Sequence, residues 1–217
     1  MSFRNEDAGR VADEIIRVIQ EHKQYLSDID GAIGDGDHGI NMSKGMHYAQ
    51  IALQEAGEYT MSAGLEEIQK ALMNKIGGSM GPLYGMIFRG FVIASRKEEI
   101  IDGTVVENML DKAYKNLSTI SEAKVGDKTL IDVLSPAIES YKENYHTSKN
   151  MNTALQTMVS AAEKGLDDTK NLVAKIGRAS RLGDRSLGHQ DAGATSCTLI
   201  LKAMAEAMCS LNKEDIR

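Results

Sequence analysis

The chain has 217 residues, 42% of them hydrophobic and 26% charged, with a formal net charge of −6. That is the ordinary balance of a folded globular protein, long enough for one sizeable domain or two small ones. The acidic balance and an aromatic share of only 5% exclude a nucleic-acid surface. No apolar run approaches the roughly 20 residues that cross a membrane, and the opening MSFRNEDAGR lacks the apolar stretch of a signal peptide. The expected location is therefore the cytoplasm. Cys197 and Cys209 lie twelve residues apart on one predicted helix, too far to bridge, and are expected to serve as apolar filling.

Apolar residues recur at helical spacing through most of the chain. The first stripe is Val11, Ile15, Ile19, His22 and Leu26, and the second is Met42, Met46, Ala49 and Leu53. Leu65, Ile68, Leu72 and Ile76 give a third, and Leu83, Ile87, Phe91 and Ser95 a fourth. Val106 to Ile120 carries the fifth, Leu130 to Tyr145 the sixth, Leu155 to Leu166 the seventh and Cys197 to Leu211 the eighth. Pro136 falls inside the sixth, where it should kink the helix or mark a late start. No segment reads as a strand. Eight amphipathic helices in one chain predict an all-α fold of antiparallel neighbours, an up-and-down bundle or closed helical barrel. With no linker rich in Pro, Gly or Ser and no repeat, residues 1–217 read as a single domain.

The glycines gather in three inter-helix segments, 31–39, 77–85 and 177–193. The first contains G-D-G-D-H-G at 34–39. As a string it matches a dinucleotide-binding turn, but that turn needs a preceding strand, and here a helix precedes it. Counted from Asp28 as a calcium loop, Ile33 stands where glycine is needed and Gly39 where a bidentate glutamate is needed. What remains is three carboxylates. Asp35 and Asp37 are separated by one glycine, so a tight turn can aim both at one point, and Asp30 can return from the end of the first helix. Hard carboxylate oxygens of this kind suit Mg²⁺, through which phosphates can approach an acidic loop. The bland alternative is a set of Asp and Gly turn residues, which explains mutually repelling carboxylates less well. His38 can simply pair with a neighbouring carboxylate.

In G-G-S-M-G-P-L-Y-G, Pro82 suits a first helical position, with Ser79 or Gly81 near the cap. The long last segment carries Lys175, Arg178, Arg181 and Arg185, a local excess of positive charge able to hold phosphate oxygens. Its end, starting at Asp191, looks like another helix start. Consecutive antiparallel helices place alternate connections on one rim. Those after helices one, three, five and seven therefore meet at one mouth, with Asp30, Asp35, Asp37, Ser79 and Arg178 around it and E-A-K-V-G-D-K-T beside them. Metal, phosphate and arginine together suit phosphoryl transfer.

Four segments, I-G-D-G-D-H-G-I-N-M at 33–42, G-G-S-M-G-P-L-Y-G at 77–85, G-D-K-T at 126–129 and G-R-A-S-R-L-G-D-R-S-L-G-H-Q-D-A-G-A-T-S at 177–196, resemble the DhaL family. These are the nucleotide-binding L subunits of bacterial, phosphotransferase-system-dependent dihydroxyacetone kinases. The resemblance covers nearly the whole chain and implies an eight-helix barrel with a nucleotide capping one end. It implies that Asp30, Asp35 and Asp37 hold two Mg²⁺ ions that bind the diphosphate of ADP. It further implies that His38, Gly39, Ile40, Asn41, Ser79, Met80 and Arg178 line the phosphate and nucleotide site, with Leu130, Asp191, Ala192 and Gly193 in further nucleotide contacts. ADP then acts as a coenzyme. A DhaM-type phosphocarrier converts it to ATP, and the phosphoryl group passes to dihydroxyacetone on a separate DhaK-type subunit, which carries the substrate-binding histidine. This chain has no catalytic residue of its own in that scheme. Ala192 stands where the family commonly has proline, and Met80 where a smaller residue is common. The alternatives are a subunit that uses ATP directly, on dihydroxyacetone or a related ketose such as erythrulose, and a non-catalytic nucleotide-dependent partner of a transcription regulator. A homodimer is compatible with each.

Overall fold

A computed structural model describes residues 2–214. Its helices are α1 Arg10–Glu21, α2 Lys23–Ile33, α3 His38–Ala56, α4 Met61–Lys75, α5 Met80–Ser95, α6 Gly103–Leu117, α7 Ile131–Ser148, α8 Met151–Asp168 and α9 Ala192–Glu214. The sequence predicts eight helices, and the described residues form nine because the first stripe breaks at His22. There the backbone leaves helical values (φ −92°, ψ 12°), the His22 amide donates to the Val18 carbonyl, and ring Nδ1 lies 2.8 Å from the same oxygen. The apolar stripe runs on through the break, since Ile15, Ile19 and Leu26 are all fully buried.

The eight expected positions nonetheless survive as a ring. From α3 to α9 each helix packs on the next, α9 packs on α1, and α1 packs on α3. The short α2 lies across α3 and α9 at one rim. The interior is apolar and aromatic, with Phe88 and Phe91 edge to face at 5.6 Å and the buried Tyr141 hydroxyl donating to the Gly103 carbonyl at 3.0 Å. Cys197 is buried, and burial pushes its thiol up to about 12, as expected of a filling residue. No helix among the described residues is long and apolar enough to cross a membrane.

Side chains set several helix starts by accepting from free amides. Thr60 accepts from Ala63, Asp102 from Thr104 and Val105, and Asn150 from Asn152 and Thr153. Pro136 neither delays nor interrupts α7, which starts five residues before it. Proline removes the bond to the Asp132 carbonyl. That oxygen faces Gly165 of α8, where an added Cβ would stand only 2.3 Å from it, so the two helices approach closely at this point.

Two strands overturn the expectation of none. β1 Ser2–Arg4 pairs antiparallel with β2 Ile100–Asp102, Phe3 opposite Ile101. Three residues are too few to show alternation. Next to β1, the buried Asn5 side chain donates to the carbonyls of Ser95 and Glu98 and accepts from the Ser62 amide. This knot ties the chain start to the connection between α5 and α6, away from the acidic turn.

Candidate functional site

The acidic turn joins α2 to α3. Gly34 donates its amide to the Asp30 carbonyl, and Gly36 takes φ +76°, a left-handed turn that favours glycine. Asp30, Asp35 and Asp37 each offer an oxygen within 4.8 Å of the others. Asp30 is more than a candidate ligand, because its carboxylate also accepts the His38 amide at 3.2 Å and so caps α3. Gly39 lets α3 press against α2, since a Cβ there would lie 2.0 Å from the Lys23 carbonyl and 2.6 Å from Ser27 Oγ.

Arg178 comes to this turn from the far end of the sequence. Its guanidinium pairs with Asp35 and stands 3.5 Å from Asp37. The segment that carries it is not a structureless loop but a short 3-10 stretch over Arg178–Ser186, kinked at Gly183, with Arg181 and Arg185 exposed. Lys175 on the same segment pairs with Asp127 at 3.2 Å.

Beneath the turn lies a buried polar network. The His38 ring does not pair with a carboxylate. Its Nε2 lies 2.8 Å from Ser196 Oγ on α9, which in turn lies 2.5 Å from the Tyr84 hydroxyl of α5. Tyr84 also donates to the Gly193 carbonyl at 2.8 Å. The starts of α3 and α9 thus share one set of hydrogen bonds with the first half of α5. Burial holds His38 well below the usual histidine range, down to about 4, against a small opposing pull from Asp30. Asp191 caps α9 by accepting the Ala194 amide at 2.7 Å, as its position in the sequence suggests. Burial pushes its carboxyl up to about 6, and the charges of Asp132 and Asp30 add to that.

Leu130 and Gly193 adjoin, a Gly193 Cβ falling 3.7 Å from Leu130, and Ala192 is buried beside them as the first residue of α9. Ile40 and Asn41 lie in the first turn of α3, with Ile40 half exposed. Ser79 and Met80 open α5, as expected, but Pro82 is the third helical residue rather than the first, and the Ser79 hydroxyl caps no amide. Ser79 is exposed, and Met80 packs on the core. Their tie to the turn runs through α5, whose Tyr84 bonds Ser196, the partner of His38. The connections at 34–37, 118–130 and 169–191 meet through side chains, as the rim argument expects. Sequence reasoning missed Tyr84, Ser196 and Lys128, the last a buried lysine in left-handed backbone (φ +62°). A lysine inside a glycine-bearing turn was the only available signal for it.

Three carboxylates at this spacing fit a hard divalent cation, which takes one to several protein carboxylates and completes its shell with water or phosphate oxygens. The amides at the start of α3 add a dipole that favours an anion.

The helical ring is similar to part of the solved dihydroxyacetone kinase of C. freundii. In its native form that chain superposes with a TM-score of 0.69 at 23% identity, over 94% of this chain and 35% of that one. The structure of the same kinase in complex with AMP-PNP and Mg²⁺ gives 0.66 at 21%. This chain therefore spans about a third of those solved chains. By its sequence the protein belongs to the DAK2 domain family, whose model matches residues 32–206. The PEP-dependent dihydroxyacetone kinase 1, ADP-binding subunit DhaL, of Listeria innocua is 34% identical over 97% of this chain and 100% of its own length. The corresponding ADP-binding subunit DhaL of Escherichia coli is 31% identical over 88% of this chain and 90% of its own.

Proposed function

We propose that the chain, as one domain, is the ADP-binding subunit of a dihydroxyacetone kinase. The observation that carries this reading is the cluster of Asp30, Asp35 and Asp37 at the start of α3 with Arg178 set against it. Relatives of matching length named as ADP-binding subunits support it. Asp30, Asp35 and Asp37 would hold two Mg²⁺ ions. The Gly39 and Ile40 amides in the first turn of α3 would face the phosphates, flanked by His38 and Asn41, whose own amides bond Asp30 and the Asp37 carbonyl. Arg178 would bind a phosphate oxygen once released from the aspartates. Ser79 and Met80 at the start of α5, and Leu130 with Asp191, Ala192 and Gly193, would flank the rest of the nucleotide. Bound Mg²⁺ would supply charge neutralisation for the diphosphate, and the bound nucleotide would supply a phosphoryl acceptor as ADP and a phosphoryl donor as ATP.

The protein's own groups position and neutralise. Burial disfavours the protonated form of His38, and its Nε2 is engaged with Ser196, so it is not set up to take a proton from a substrate. The ketose and its binding histidine would sit on a DhaK-type subunit, and a DhaM-type phosphocarrier would restore the phosphoryl group. The test is mass spectrometry of nucleotide released from purified protein, before and after incubation with a phosphocarrier charged from phosphoenolpyruvate. ADP released at first and ATP afterwards is the expected result. A metal-replete protein that carries no nucleotide and binds none overturns the reading, and turnover with ATP alone replaces the phosphocarrier with ATP as donor.

A further inference from the structure

We propose that Lys128 is the positioning residue for Arg178, an internal cation that gathers both stems of the segment carrying that arginine. Lys128 is 1% exposed, although it belongs to a turn between α6 and α7. Its ammonium lies 2.7 Å from the Thr169 carbonyl, 3.1 Å from Leu172, 2.8 Å from Ser186 and 2.6 Å from His189. Two of these oxygens precede Arg178 in the chain and two follow it. An ammonium has three N–H groups, so four carbonyls fill its shell completely. The neighbouring carboxylates Asp191 and Asp132 favour the charge, while burial opposes it and lowers the lysine from its ordinary value.

The turn is built to send this side chain inward. Asp132 accepts the Gly126 and Thr129 amides at 2.5 and 2.7 Å, and Lys128 between them adopts left-handed backbone, which residues other than glycine seldom take. The stems carry further ties, from Gly188 to the Lys170 carbonyl and from Ala174 to Ser186 Oγ. The Asp191 amide reaches Thr169 Oγ1 at 3.2 Å, which links the clamp to the start of α9. Closed at the stems, 172–186 is a compact loop with Arg178 held against Asp35.

The nucleotide consequence rests on the function proposed above, whereas the loop consequence does not. In nucleotide-free protein, Lys128→Met should raise amide hydrogen exchange at 172–188 at least tenfold and leave α4 to α6 unchanged. In metal-replete protein it should weaken ADP binding at least tenfold. Propylammonium added to Lys128→Ala should restore slow exchange and neutral propan-1-ol of similar size should not; equal rescue by both overturns the role of the charge. Wild-type exchange at 172–188 in Lys128→Met overturns the clamp, and so does loss of the whole helical circular dichroism signal, because the role assigned is local. A loosened loop with unchanged ADP affinity overturns the assignment to Arg178. Failure of the wild type itself to bind ADP overturns the functional reading and leaves the exchange result to judge the clamp.

Discussion

Arg178 pairs with Asp35 and stands 3.5 Å from Asp37, so one guanidinium offsets part of the charge of two of the carboxylates proposed to hold Mg²⁺. Both partners are about half exposed, and an ion pair of this kind contributes about 0–1 kcal/mol. Arg178 is thus a weak competitor for the metal and a strong candidate for phosphate. Arg178→Ala should leave Mg²⁺ affinity, measured without nucleotide, unchanged or up to about fivefold tighter. ADP affinity in the presence of Mg²⁺ should fall by about tenfold or more, the range of a lost charge-assisted bond. Calorimetric titration with each ligand separates the two. Loss of Mg²⁺ binding with normal ADP binding would reverse the assigned roles.

The three aspartates should not respond alike. Asp35→Asn and Asp37→Asn remove charge from a turn with little structural duty, so Mg²⁺-dependent ADP retention should disappear while thermal unfolding stays close to wild type. Asp30 also caps α3 through the His38 amide. Asp30→Ala should therefore cost about 1 kcal/mol of stability in addition to the loss of retention, measured by urea unfolding. Unchanged ADP affinity in both Asp35→Asn and Asp37→Asn would remove the metal assignment.

The aspartates were legible because their chemistry clashes with the glycine pattern around them, a conflict visible in residue types alone. The ring was legible because nearly every helix buries one stripe. The break at His22 was not, since the stripe continues through it and only backbone angles change. Lys128 and Tyr84 were illegible for a different reason. Their main partners are backbone carbonyls 41 to 61 residues away for Lys128 and 109 for Tyr84, and a carbonyl leaves no mark in a sequence. Ser196 looked like one more helix-start residue until α3 and α5 were placed against it.

Two groups near the site pull acid stability in opposite directions. His38 falls from 6.5 to about 4 on folding, so the folded state refuses a proton that the unfolded state accepts. Stability is lost on this account as pH falls from about 6.5 towards 4, by roughly 3 kcal/mol in all. Asp191 rises from 3.8 to about 6, so the folded state accepts a proton first and gains stability as pH falls from about 6 towards 4. In metal-free buffer the stability difference between wild type and His38→Gln should shrink or reverse in favour of the variant as pH drops. The difference between wild type and Asp191→Asn should move the other way. Parallel pH profiles for all three proteins would show that neither group titrates in this window.

Gly39 is where the site and the fold constrain each other most directly. Its missing Cβ leaves room for the Lys23 carbonyl and Ser27 Oγ, both on α2, and the neighbouring His38 amide binds Asp30 on the same helix. A methyl group at 2.0 Å from a carbonyl oxygen cannot be absorbed by a side-chain rotation, because the obstacle is backbone. Gly39→Ala should push α3 away from α2 and cost about 1–3 kcal/mol, the range for overpacking. The same displacement draws the start of α3 away from Asp30, so Mg²⁺-dependent ADP affinity should fall although Asp30, Asp35 and Asp37 are unchanged. Gly45→Ala serves as a control, because its added carbon meets the flexible Leu72 side chain at 2.7 Å rather than backbone. If both variants lose stability to the same degree and both keep wild-type ADP affinity, close seating of α3 on α2 is not what aligns the aspartates.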